Sequence, residues 1–189
     1  MTRGFKKLFW GFLIVNVSLT AGLIPILPSF VGWLIVLDAL ADLEEQIPRQ
    51  NLQFVVRSVI VLLVFSFGEL FQLFGRDWTL VSHLFQFLSI FVLLLELSAF
   101  HKLLEAVARQ YDRMNRGAKR DEMVTKDKWY LLLMGTSAAT LTVSMTFNYL
   151  PVFVIGVGLS LAARVYLLTI LYALSKEDLE LNLAESGTV

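Results

Sequence analysis

The sequence contains no cysteine and only two histidines among its 189 residues. Disulfide bonds, thiolate nucleophiles and cysteine metal sites are therefore excluded. The two histidines, His83 and His101, lie at opposite ends of the predicted fourth helix, too far apart to share one metal ion, and neither has the ligand spacing of a zinc motif. We expect neither a metal nor any other cofactor.

Motifs of common enzyme classes are also missing. There is no glycine-rich phosphate loop, no GxSxG nucleophile elbow and no DGxxAR-type signature of lipid-headgroup transferases. Residues 44–49 spell EExxxR, which resembles the first motif of intramembrane CAAX-type proteases. Neither His83 nor His101 has the phenylalanine four residues earlier that the second motif requires, and Pro48 interrupts the helix. An intramembrane enzyme is therefore an alternative without a supporting motif.

Charged residues are scarce, at 17% of the chain, whereas 57% of the residues are hydrophobic. The apolar residues fall in runs of about twenty, the length needed to cross a bilayer as a helix. We therefore predict an all-α polytopic membrane protein, with one bundle over residues 1–175 and a cytoplasmic tail over residues 176–189. Its six transmembrane helices, paired as three hairpins, are predicted at 8–24, 29–45, 54–74, 80–101, 129–147 and 151–174.

The basic residues predict the orientation of these spans. Half of the sixteen lysines and arginines lie in residues 102–128, which we interpret as the major cytoplasmic loop. The fourth helix is expected to extend into this loop, and Gly117 interrupts the helical pattern near its middle. Arg76 is the sole basic residue of the predicted outer turns. Because cytoplasmic segments carry the excess of basic residues, the N- and C-termini are both predicted to be cytoplasmic.

Six charged residues fall inside the predicted spans and form a candidate intramembrane polar centre. They are Arg164, Asp38, Asp42, Glu69, Glu96 and Arg57. A charge at the bilayer centre costs roughly 2.5–3.5 kcal/mol on insertion scales, so it normally faces the protein interior and has a partner. Counted from the outer turns at 1.5 Å per residue, Arg164 and Asp38 lie about 20 and about 18 Å deep. We expect these two residues to pair, which requires helices two and six to be neighbours.

The middle hairpin contains two further polar layers. Arg57 and Glu96 are nearly equidistant from the turn at Asp77, and Glu69 is level with Gln86. Two interpretations of the polar centre stay open. The residues form satisfied pairs that fix the register of the helices, or they border a polar cavity or an ion path.

Two resemblances bear on the class of protein. Residues 26–35, ILPSFVGWLI, resemble an ILPDFIGY-like hairpin of small uncharacterised multi-pass membrane proteins of Gram-positive bacteria, which implies a bacterial cytoplasmic membrane but no function. The size, the six predicted spans and the cytoplasmic termini are similar to the substrate-binding subunits of energy-coupling-factor vitamin transporters, which implies a small solute as ligand. The AxxxA coupling motif of those subunits is missing from residues 8–24.

Three hypotheses of function follow, and the sequence favours the first. A non-catalytic scaffold, regulatory or accessory subunit would meet a cytoplasmic protein partner or anionic lipid through residues 102–128. A small-solute binding or transport subunit would place its charged residues around a cavity open to one side. An intramembrane enzyme comes last. Nucleic acid is not an expected partner, because the basic residues at 102–128 alternate with acidic ones and follow the orientation rule.

Overall fold

Six helices account for most of the described chain. The computed structural model describes the backbone of residues 2–17, 20–21, 24–25, 28–72 and 79–186, and the side chains of residues 3–17, 28–67 and 88–176. The helices are α1 (Thr2–Asn16), α2 (Ser29–Glu44), α3 (Arg49–Gln72), α4 (Thr79–Arg113), α5 (Gly117–Phe147) and α6 (Leu150–Ser186). Between α1 and α2, strands β1 (Thr20–Ala21) and β2 (Ile24–Pro25) form a short antiparallel pair. The predicted all-α class is confirmed.

Asparagines shape the two tight turns that follow α4 and α5. Asn115 (φ 56°) and Asn148 (φ 49°) have the left-handed backbone conformation, which asparagine tolerates better than most residues. The backbone N–H groups of Asn148 and Tyr149 both donate to the carbonyl of Ser144, which would otherwise be unsatisfied at the helix end. These turns place α4, α5 and α6 side by side.

The six helices form a closed ring in chain order. Each helix packs against the next, and α1 also packs against α6. The predicted hairpins α1–α2, α3–α4 and α5–α6 therefore each consist of neighbouring helices. Among the described residues α2 and α6 do not pack together, because α1 lies between them. The arrangement that we expected around helices two and six is thus not the one observed.

Glycines allow the helices of two hairpins to approach closely. A Cβ atom added to Gly32 of α2 would lie 2.6 Å from the carbonyl oxygen of Gly11 on α1. On α6, Gly156 packs against Leu141 of α5, and its carbonyl accepts a 2.8 Å hydrogen bond from the hydroxyl of Ser137. Small residues at helix contacts are typical of helices packed in a membrane.

The apolar core lies toward the end of the bundle that contains the α4–α5 turn. Leu103, Leu104 and many neighbouring apolar side chains are buried there. The rings of Phe12 on α1 and Phe100 on α4 meet edge to face with their centroids 4.6 Å apart. Over residues 150–162, all of them described, α6 buries only Gly156. The first thirteen residues of α6 therefore contribute little to the core of the described structure.

Three segments of the described chain are long and apolar enough to cross a membrane. They are Arg49–Phe67 in α3, Gly117–Phe147 in α5 and Leu150–Lys176 in α6. Large apolar side chains such as Leu132, Val154 and Ile155 are more than half exposed, as contact with lipid requires. By contrast, α1 and α2 contain only 15 and 16 residues, fewer than the roughly 20 of an ordinary membrane-crossing helix.

The first helix differs from its predicted bounds of 8–24. It begins at Thr2 and ends at Asn16, where the side-chain amide donates a 2.7 Å hydrogen bond to the carbonyl of Phe12. The asparagine side chain thus bonds back to its own helix, and asparagine is a residue that favours helix ends over helix interiors. The apolar run then continues as the extended pair β1–β2, because hydropathy alone does not distinguish a helix from an extended apolar chain.

The predicted loop and tail are also more helical than expected. Within residues 102–128, α4 extends to Arg113 as predicted, but only residues 114–116 interrupt the helices, and α5 begins at Gly117. The predicted tail from residue 176 continues α6 as far as Ser186. Leucine, glutamate, lysine and alanine dominate that stretch, and all four are strong helix formers.

Candidate functional site

An ion pair joins α4 to α6 inside the ring. Nη2 of Arg164 donates to Oε2 of Glu96 at 2.8 Å. The Glu96 side chain is only 2% exposed, whereas that of Arg164 is 32% exposed. Both helices pack against α5 rather than against each other, so the long arginine side chain spans the gap between them. The predicted pair Arg164–Asp38 is therefore wrong, although Glu96 was among the candidate residues.

This ion pair leaves hydrogen-bonding groups unused. Oε1 of Glu96 and Nε of Arg164 are buried, and neither has a hydrogen-bond partner among the described residues. The hydroxyl of Tyr130 on α5, a fully buried residue that lies in the electrostatic field of both charges, is also without a partner there. An unpaired buried polar group costs about 1–3 kcal/mol. Three unpaired polar groups around one ion pair indicate a site where a water molecule or a polar ligand can bind.

A half-open cavity of about 310 Å³ lies beside the arginine, between α4, α5 and α6, and exposed side chains such as Leu161 form part of its rim. Its wall is mainly apolar, with side chains such as Leu93 and Leu141, and two serines, Ser89 and Ser160, add hydroxyl groups. Arg164 is the one charged residue that lines it in the described part of the chain. Pockets that hold small molecules have this character, with volumes of roughly 300–1,000 Å³ and few polar groups.

A second polar pair joins α4 to α5 farther toward their common turn. Nδ1 of His101 lies 3.0 and 2.9 Å from the two carboxylate oxygens of Asp127. Asp127 is one helical turn from Tyr130 on α5, and His101 is little more than one turn from Glu96 on α4. The prediction missed Asp127 because it was assigned to the loop. The spacing of Asp127 and Tyr130 on one helical face was the only signal available.

Asp38 and Asp42 form a separate polar cluster on the α1–α2 hairpin. Nζ of Lys7 lies 2.6 Å from Oδ2 of Asp38 and 2.8 Å from Oδ2 of Asp42. The two aspartates are four residues apart, so they lie on one face of α2. The Asp38 side chain is 63% exposed. These residues thus belong to an accessible face of the α1–α2 hairpin rather than to the site of Arg164.

Of the other two candidates, Arg57 lies away from the site, and Glu69 is described only by its backbone. Arg57 is exposed on α3, and the carboxylate of Glu96, which we expected at its level, binds Arg164 instead. The backbone of Glu69 lies in α3, but its side chain is outside the described residues, as are those of Gln86 and His83.

Ion pairs along the helices neutralise part of the basic segment at 102–128. Glu105 binds Lys102 at 2.8 Å and also binds Arg109, and Glu122 binds Lys126 at 2.6 Å. The hydrogen bond from Lys102 is the main reason why the pKa of Glu105 is lowered. The positive electrostatic field of residues 102–128 is therefore weaker than the number of lysines and arginines alone would give.

Comparisons with protein families, with curated proteins and with solved structures find no match to this chain. Its function must therefore be inferred from its own residues. The interior site combines an apolar cavity, a guanidinium with an unused Nε–H and a buried carboxylate. This combination can bind a solute and can exchange a proton.

Proposed function

We propose that this protein is a small-solute binding or transport subunit of a bacterial cytoplasmic membrane. It crosses the membrane six times with both termini in the cytoplasm, and it binds its solute in the cavity beside Arg164. The observation that carries this proposal is the 310 Å³ cavity with Arg164 in its wall, backed by the buried carboxylate of Glu96.

The unused polar groups favour a binding site over a purely structural pair. A buried ion pair often contributes little net stability compared with well-packed apolar side chains of similar volume. Here the pair also leaves Oε1 of Glu96 and Nε of Arg164 without partners, which costs further stability. A cavity that admits a solute gives these groups a use, whereas a packed scaffold gives them none.

The test is a solute screen by thermal shift on the purified protein. A solute at one hundred times its dissociation constant should stabilise the folded state by about 2.7 kcal/mol. The variant Ser160→Phe places a ring in the cavity and should abolish the shift. Val154→Phe is the matched control, because Val154 lies on the same helix, is 61% exposed and does not line the cavity. A solute that stabilises both variants equally binds elsewhere and contradicts the proposal.

The scaffold remains a second candidate because α4 and α5 carry residues 102–128 beyond the predicted spans. The twelve residues of α4 after His101 alone add about 18 Å of helix. A cytoplasmic protein partner or anionic lipid would bind there. Crosslinking from Ala118→Cys tests this candidate, and capture of lipid alone would contradict the protein-partner version.

A further inference from the structure

We infer that the solute bound beside Arg164 is an apolar monoanion, and that Glu96 takes up one proton from the solvent when this anion binds. This inference rests on the proposed function and names the chemistry of its ligand. In the absence of solute, the carboxylate of Glu96 neutralises the charge of Arg164, and the bound anion takes over that role.

The hydrogen bonds of Arg164 point to an anionic ligand. A guanidinium offers five N–H donors in a planar fork that matches a carboxylate with two parallel bonds. Glu96 engages Arg164 through one oxygen and Nη2, and the buried Nε–H has no partner among the described residues. Because Arg164 also lines the cavity, an anionic group that enters there meets a cation with unused donors.

The charge balance of the site requires a proton to accompany the anion. Ionised Glu96 and Arg164 together are neutral, so a bound anion adds one uncompensated negative charge to a cavity with a mainly apolar wall, close to a buried carboxylate. Such a charge is costly unless it is neutralised or paired. Protonation of Glu96 restores neutrality. Its Oε1 is the natural site for the proton, since that oxygen has no hydrogen bond to lose in the described structure.

No other residue near Glu96 in the described part of the chain can balance the negative charge of a bound anion. Besides Arg164 from α6, the titratable or charged residues beside the site are Tyr130 and Asp127 from α5 and His101 from α4, and α3 carries Arg57 and Glu69. Lys102 and Glu105, farther along α4, pair with each other. Asp127 already binds His101, Arg57 is exposed, and the side chain of Glu69 is not described. No second interior cation in the described part of the chain is therefore available to balance an added anion.

The cavity wall defines the rest of the ligand. Its lining is mainly apolar, so the bound molecule must carry an aliphatic or aromatic body behind its anionic group. A phosphate carries about −1.5 to −2 charges at neutral pH, which a single proton on Glu96 would not balance. Aliphatic and aromatic carboxylates are therefore the class that fits.

The test is calorimetry on the full-length protein in lipid nanodiscs with butanoate, octanoate and benzoate, and with octanol as the uncharged probe. Titration in two buffers of different ionisation enthalpy gives the number of protons taken up, which should approach one per bound acid. From about pH 6 to about pH 8.5, where the acids stay ionised, the dissociation constant should rise about tenfold per pH unit. The proton count needs no variant, so it stands even if a substitution prevents folding.

Two variants locate the proton. Glu96→Gln resembles the protonated carboxyl, so it should retain acid binding while losing both proton uptake and the pH dependence. The double variant Glu96→Gln with Arg164→Gln removes both charges together and should weaken acid binding more than tenfold. Glu105→Gln, which removes a partly exposed carboxylate on the same helix that does not line the cavity, should behave as the wild type.

Each outcome separates this inference from the proposed function. Acid binding without proton uptake overturns the coupling to Glu96. Octanol binding without acid binding overturns the anionic ligand but leaves a solute cavity in place. If neither the acids nor octanol bind, the inference is overturned. If the wider solute screen is also empty, the proposed function fails with it.

Discussion

The guanidinium of Arg164 lies 2.8 Å from the carboxylate of Glu96, a residue 68 positions earlier in the chain. The two residues belong to helices that are not neighbours in the ring, so their contact fixes α4 and α6 on either side of α5. Of the two, Arg164 lines the cavity, and it is the one charged residue that does so in the described part of the chain.

Breaking this pair should destabilise the protein more than removing it. Glu96→Ala leaves the arginine without its partner and should lower the free energy of unfolding by about 3–5 kcal/mol. Replacing both residues, as Glu96→Leu with Arg164→Met, should recover much of that loss, because no buried charge remains. Unfolding in detergent micelles measures both changes. A double variant that loses as much as Glu96→Ala would show that the unpaired arginine is not the cause of the loss, and a loss equal to the sum of the two single-variant losses would show that the charges do not interact.

The pair between Lys7 and the two aspartates of α2 provides the matched comparison. Asp38 is 63% exposed, so Asp38→Ala should lower the free energy of unfolding by less than about 1 kcal/mol. The same unfolding assay applies. A loss as large as that of Glu96→Ala would place Asp38 in the protein interior, against the structure.

The close approach of α1 and α2 should not tolerate a larger residue at Gly32. Its added Cβ would lie 2.6 Å from the carbonyl of Gly11, so Gly32→Ala should destabilise by about 1–3 kcal/mol or separate the helices. Gly158→Ala is the control, because nothing lies within 4 Å of its added Cβ. That change should stabilise α6 by up to about 1 kcal/mol through helix propensity. Similar effects at both positions would contradict the observed packing.

The acid sensitivity of the basic segment should depend on Glu105. Its pKa is lowered in the folded state, chiefly by the hydrogen bond from Lys102. The stabilisation is therefore complete above the ordinary glutamate pKa of about 4.3 and is lost as the pH falls through the lower folded-state value. Unfolding curves of wild type and Glu105→Gln should differ at neutral pH and converge in acid. Curves that diverge as the pH falls would reverse the expected sign.

The orientation of the bundle can be measured directly, because the chain contains no cysteine. Tyr149→Cys and Ala118→Cys introduce single thiols at exposed positions beside the α5–α6 and α4–α5 turns. A membrane-impermeant maleimide added to intact cells should label the first variant and not the second. Both should react after the cells are opened. The opposite pattern would place the termini outside.

Some features of the fold could be predicted from the sequence, because proline positions and hydropathy report on where a helix begins and how deep a residue lies. The bounds of α2 were predicted to within one residue, because Pro28 marks a chain position that favours a helix start over a helix interior. The helix α3 begins at Arg49, directly after Pro48 and five residues before its predicted start, because hydropathy does not include the polar first turn of a helix. Counting residues from a turn gives the depth of a side chain but not its direction around the helix. Arg164 was therefore assigned to Asp38, at a similar depth, when α1 in fact lies between their helices.

The same reasoning explains why the cavity could not be predicted. Its position depends on how tightly Gly156 draws α6 onto α5 and how loosely the neighbouring stretch of α6 is packed. Such contacts between helices distant in sequence leave no local pattern. Asp127 was missed for the related reason that a charge near a span end looks solvated until the opposing helix is known.

The short first hairpin has a consequence for the surrounding lipid. Helices of 15 and 16 residues are about 22–24 Å long, so with all six helices embedded as proposed, the ring is lower on this side than on the side of α5 and α6. A bilayer of uniform thickness cannot match both sides, and hydrophobic mismatch is relieved by local thinning or by shorter acyl chains beside α1 and α2. The protein would then select surrounding lipids by acyl-chain length. A change in membrane thickness would strain the α1–α2 side of the ring and the α5–α6 side to different extents.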